Sequence, residues 1–64
     1  MFTLKACRVN KGLTREEAAK KVGIAERTLK SYEDGSTYPP VDTAQKLLDL
    51  YGVNWNDVDF LIKG

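Results

Sequence analysis

Between Gly23 and Gly35 the chain reads GIAERTLKSYEDG, and this stretch holds the side chains best equipped for chemistry. At about 100° per residue, Glu26, Arg27, Lys30 and Ser31 share one arc of a helical wheel over residues 25 to 34. Ala25, Leu29, Tyr32 and Glu33 fall on the other side. The outer set mixes both signs of charge with a short hydroxyl, and lacks the regular Glu-to-Lys spacing of a merely solvated helix. The chemistry it offers is recognition through hydrogen bonds. A guanidinium such as Arg27 can donate to guanine O6 and N7 together, and a carboxylate such as Glu26 can accept from cytosine N4. Lys30 can reach a base or a phosphate, while Ser31 needs close approach. Plainer alternatives stand beside these: Arg27 as a solvated helix arginine, and Glu26 as a first-turn carboxylate favoured by the helix dipole.

Catalysis has little to work with. The chain has no histidine and one cysteine, Cys7. No Cys–His or Ser–His pair, internal disulfide or structural zinc site can be assembled from such a set. Neither a phosphate loop nor paired carboxylates appear, so no enzyme, cofactor or metal is expected, and Cys7 reads as a buried free thiol. Sixty-four residues, 42% of them hydrophobic, make a single domain over residues 1–64, near the size at which one core becomes marginal. No apolar run reaches the length of a membrane span and no signal-peptide pattern opens the chain, so a cytoplasmic protein is expected. The net charge of +1 is uneven: residues 1–40 hold eight Lys/Arg against five Asp/Glu, and residues 41–64 hold two against four. One end is basic and the other acidic.

Turn signals cut the chain into five short helical segments, and none shows the alternation of a strand. The first runs from about Thr3 to Asn10, with Leu4, Cys7 and Arg8 on one face. The second, Thr14 to Val22, opens on the capping-box spacing of Thr14 and Glu17 and turns Ala18, Ala19 and Val22 inward. The third, Ala25 to Asp34, stops at Gly35. The fourth spans about Asp42 to Leu50, with Val41, Ala44, Leu47, Leu48 and Tyr51 apolar. Asn54 is expected to cap a fifth, with Trp55, Val58 and Ile62 at i, i+3, i+7 in the core and Phe60 projecting the opposite way. Helices this short need a shared core, so the expected fold is all-α.

Only Gly23 and Ile24 separate the second and third segments. A turn that tight crosses two helices steeply and leaves the second standing proud, a shape that fits a major groove about 12 Å wide. Here LTREEAAKKVGIAERTLKSYEDG resembles the helix-turn-helix of the lambdoid phage repressor and Cro family, the Xre-type regulators. Ala19, Gly23, Ile24, Leu29 and Tyr32 occupy matching positions. Upstream, Leu4, Arg8, Gly12 and Leu13 are similar to its first helix; downstream, Pro39 and KLLDLYGVNWNDV resemble its fourth and fifth. The chain departs from the pattern at Ala18, usually a larger apolar residue, and at Ala25, usually a capping Ser, Thr or Asp.

The resemblance implies a five-helix DNA-binding fold and a transcription regulator, a phage or prokaryotic repressor that occludes promoter DNA. Glu26, Arg27 and Ser31 match the family's base-reading positions, and Lys30 shares their arc. Thr14 and Arg15 stand where the family holds a phosphate, at a helix N-terminus suited to one. Thr28, Ser36, Thr37 and Tyr38 are further backbone candidates. Arg8 and Glu33, of opposite sign on inward faces, pair in the family and are expected to be structural. Phe60 with Leu61 is the candidate dimer surface, in a region through which relatives often dimerise. The implied partner is double-stranded DNA carrying a near-palindromic operator, bound by a weak homodimer. The rival is a protein-interaction module, such as an antirepressor or toxin partner, built on the same fold.

Overall fold

The computed structural model describes residues 2–60. Strand β1 (Phe2–Thr3) leads into helices α1 (Leu4–Asn10), α2 (Arg15–Val22), α3 (Glu26–Asp34) and α4 (Val41–Tyr51). A 3₁₀ turn (Trp55–Asp57) and strand β2 (Val58–Asp59) complete the order. The described residues are mostly helical, with four α-helices. None is long and apolar enough to cross a membrane.

Local chemistry sets most of the boundaries. Thr3 caps α1 by accepting from the Ala6 N–H at 3.0 Å. At α2 the Thr14 hydroxyl accepts from the Glu17 N–H (3.1 Å), and the Glu17 carboxylate accepts from the Thr14 N–H (2.9 Å). Each satisfies a donor that the helix end leaves without a partner. Gly23 ends α2 at φ +77°, and the Ile24 N–H returns to the Ala19 carbonyl at 3.0 Å. A Cβ at Gly23 would meet nothing within 4 Å, so the left-handed φ alone asks for glycine there. Ala25 precedes α3 with an extended backbone and no side-chain cap. It is exposed rather than turned inward, because it lies outside the helix whose wheel it was placed on.

Leu4, Cys7, Ala18, Ala19, Leu29, Tyr32, Leu47, Leu48, Tyr51 and Val58 form the core. The small Ala18 and Ala19 let α2 lie close against both α3 and α4, since interaxial distance depends on the side chains at the contact. Val22 is half-buried, and Val41 is exposed at the first turn of α4.

Several expectations about the C-terminal segment are corrected. The fifth helix is a three-residue 3₁₀ turn: the Asn54 N–H does donate to the Asp57 carboxylate (3.3 Å), but Val58 and Asp59 then extend. They pair in parallel with β1, Phe2 opposite Val58 and Thr3 opposite Asp59, which adds a two-residue strand pair to a mostly helical fold. A single turn gains too few helical bonds to propagate, whereas the first strand supplies backbone partners. Helical spacing therefore fails beyond Asp57. Val58 is buried, but Trp55 is 38% exposed. Phe60 lies against Trp55, with ring centroids 5.8 Å apart, instead of opposite to it. Leu61 and Ile62 lie outside the described residues.

Candidate nucleic-acid interface

The outer face of α3 is held from beneath. Leu29, Tyr32 and Glu33 are buried. Arg8 of α1 reaches Glu33 through Nε to Oε2 at 2.7 Å and Nη2 to Oε1 at 3.3 Å, while its Nη1 donates to the Leu13 carbonyl at 2.9 Å. This buried pair clamps α1 and the loop before α2 to the base of α3, and charge-assisted, two-pronged bonding fixes its geometry.

Above that clamp, Glu26, Arg27 and Lys30 are exposed, and with Arg15 of α2 they line one hollow of about 250 Å³. No hydrogen bond or ion pair to another described residue occupies these four side chains. Arg15 is half-buried, and its Nε is buried with no acceptor. Three cations and one carboxylate thus converge with donors free, an arrangement suited to an anionic, acceptor-rich ligand.

The remaining candidates differ among themselves. Ser31 is half-buried, and its hydroxyl donates back to the Arg27 carbonyl at 3.2 Å, which leaves oxygen lone pairs but no free proton for a ligand. Thr28 is half-buried at the margin of the arc. Thr14 has both its N–H and its hydroxyl engaged with Glu17, so the N–H groups left at the start of α2 are those of Arg15 and Glu16. The Thr14 N–H, and next its hydroxyl, hold the Glu17 carboxyl below its usual range. Ser36 and Thr37 are exposed, and their N–H groups donate to the Ser31 carbonyl at 3.0 and 3.4 Å, which seats the loop on the end of α3. Tyr38 is exposed too, but its ring lies on Phe60, 5.1 Å between centroids.

Arg15 was expected at a phosphate, but two groupings escaped sequence reasoning. Arg15 joins Arg27 and Lys30 in one hollow, although the wheel of α3 could not include a residue of α2. The Tyr38, Phe60 and Trp55 rings gather at the far end of α3, and only the fold brings these three segments together. No local signal could have revealed either.

A family model described as helix-turn-helix matches residues 4–58. The chain belongs to that family. Its two defining helices are α2 and α3, joined through Gly23, Ile24 and Ala25. Among similar helix-turn-helix proteins is the SPbeta prophage-derived uncharacterized HTH-type transcriptional regulator YonR of Bacillus subtilis. It is 38% identical over 61 residues, covering 95% of this chain and 54% of that one. The cryptic phage CTXphi transcriptional repressor RstR of Vibrio cholerae is 39% identical over 46 residues, 72% of this chain and 41% of its own. An uncharacterized HTH-type transcriptional regulator of Methanocaldococcus jannaschii is 34% identical over 55 residues, covering 86% and 83%. The chain spans about half the length of the first two relatives. No solved structure matches it significantly.

Proposed function

We propose that this chain is a single cytoplasmic domain that binds double-stranded DNA sequence-specifically and regulates transcription, acting as a repressor by occluding promoter DNA. The observation that carries this reading is the hollow in which Arg15, Arg27, Lys30 and Glu26 converge unpaired on the outer face of the second motif helix. In this reading α3 enters the major groove, Arg27 donates to a guanine, and Glu26 accepts from a cytosine. Lys30 and Ser31 complete the base-facing set. Arg15, the free N–H groups beside Thr14, and the Thr28, Ser36, Thr37 and Tyr38 side chains hold phosphates and fix the register. The work is binding and requires no enzyme activity, cofactor or metal. A homodimer, formed with Phe60 and Leu61 at its surface, sets two copies of α3 about 34 Å apart on a near-palindromic site.

The names of the relatives support this reading, since they are transcriptional regulators and one is a phage repressor. A second reading, a module that binds a protein partner, draws on Glu26, whose carboxylate stands among the three cations. Selection from a random duplex library near physiological salt separates the two. The expected result is enrichment of an inverted repeat with centres about 10 base pairs apart. Affinity for it should fall steeply with salt, by roughly 0.9 in log–log slope for each phosphate neutralised. Absence of enrichment even at low salt sinks the DNA reading and favours the protein partner.

A further inference from the structure

The loop after α3 is fastened at three points. Ser36 and Thr37 donate their N–H groups to the Ser31 carbonyl, and Pro39 is fully buried. Between them the side chain of Tyr38 lies on Phe60, with its hydroxyl engaged by no described residue. Phe60 is in turn seated on Trp55, and Trp55 is tied to α4. Its indole N–H donates to Gln45 Oε1 at 2.8 Å, and Gln45 Nε2 donates to Asp49 Oδ1 at 2.8 Å, which fastens the ring to α4. Phe60 also comes directly after β2, whose register against β1 and whose buried Val58 set its starting point. The ring of Phe60 is therefore a shelf for the Tyr38 ring. Tilted aromatic pairs at such separations have preferred geometries, so the shelf constrains orientation as well as height.

We propose that Phe60 is a positioning residue for DNA binding: seated on Trp55, it supports the Tyr38 ring and sets where the Tyr38 hydroxyl meets a phosphate beside the recognition helix. The inference rests on the DNA-binding reading above and adds to it a route from the C-terminal segment to the DNA-facing loop. The Tyr38 hydroxyl is neutral, so its contact carries affinity without releasing a counterion.

A double-mutant cycle on the full chain, read as affinity for a short random-sequence duplex across a salt series, tests this. Tyr38→Phe and Phe60→Ala are each expected to weaken binding roughly tenfold, the scale of one hydrogen bond to a charged acceptor. The double variant should bind no more weakly than the weaker single variant, because both changes remove one contact. The salt slope should stay unchanged, and Phe60→Tyr, which keeps a ring on the shelf, should restore binding. Thermal melts verify that each variant is folded, and Phe60→Leu replaces Phe60→Ala in the cycle if the latter unfolds. Additive losses overturn the proposal, because they would leave Phe60 acting through the dimer surface alone and not through Tyr38. So does a folded Phe60 variant that binds as tightly as the wild type. If the wild-type chain shows no salt-dependent duplex binding, the DNA reading itself has failed. If it does and the cycle is additive, only the role of Phe60 has.

Discussion

Arg8 and Arg27 are both helix arginines, and their surroundings give them opposite work. Arg8 is buried, with all its reach committed to Glu33 and the Leu13 carbonyl. Arg27 is exposed at the rim of a hollow it shares with two other cations, with no carboxylate bonded to it. Its planar fork is therefore free to meet a planar acceptor pair. Replacing Arg27 with alanine is expected to cost about 1–3 kcal/mol on the preferred site and to relax the choice of base at one position. Binding measured on the selected duplex and on its single-base variants checks this, and an equal loss on every duplex would make Arg27 a phosphate contact. At this scale the outward positions were legible, because helical period alone turns Glu26, Arg27 and Lys30 to one side. The hydrogen bond of Ser31 back to Arg27 was not, since it depends on which rotamer the hydroxyl adopts.

Between elements, the Arg8–Glu33 pair is the main electrostatic tie. It joins α1 to α3 across 25 positions of sequence, and both side chains are nearly withdrawn from water. Arg8→Met leaves the Glu33 carboxylate buried without its cation and the Leu13 carbonyl without its donor. The expected loss is about 3–5 kcal/mol, a large share of the stability of a domain this small. Pairing it with Glu33→Leu should recover much of that loss, because neither charge then remains buried alone. Urea unfolding of the two single variants and the double variant decides it; a double variant as unstable as Arg8→Met alone would contradict the account. Opposite signs on two inward faces, together with the resemblance to a family that pairs these positions, foresaw this tie. The fifth helix failed for the complementary reason. A capping signal at Asn54 starts a turn, but the conformation of Val58 and Asp59 depends on β1 being near enough to pair.

Two groups in the core bear on the response of the whole molecule to alkaline pH. Tyr51 is buried at the end of α4, and its hydroxyl has no partner among the described residues. Burial, and then the charge of Glu33, push its ionisation well above the usual tyrosine range. Below the usual value of 10.0 the phenol is neutral in both the folded and the unfolded chain. Above it, the unfolded chain ionises while the folded chain resists, so stability should fall as pH rises. Cys7, raised by burial and then by Asp57, acts in the same direction from its usual 9.0 upward. Tyr51→Phe should lessen the alkaline fall. At neutral pH it should leave stability equal or raised, since a buried hydroxyl without a partner costs about 1–3 kcal/mol. Melting temperatures of the two proteins across neutral to alkaline pH test this, and a marked loss in Tyr51→Phe at pH 7 would mean the hydroxyl has a partner after all.

Much of what depends on neighbours within a few residues was settled by the sequence itself. The capping box of Thr14 and Glu17, the left-handed glycines at 23 and 35, the inward stripes of four helices and the outward arc of α3 arise from local bonding and helical period. The likeness to a known family rests in part on the same segment, through Ala19, Gly23, Ile24, Leu29 and Tyr32. What only the tertiary structure decided lies between segments distant in sequence: Arg15 joining the hollow of α3, Phe60 reaching Tyr38, and the first strand drawing Val58 out of a helix. Those contacts form only once the core has closed and set the distances between elements, and residue spacing carries no information about distance across a fold.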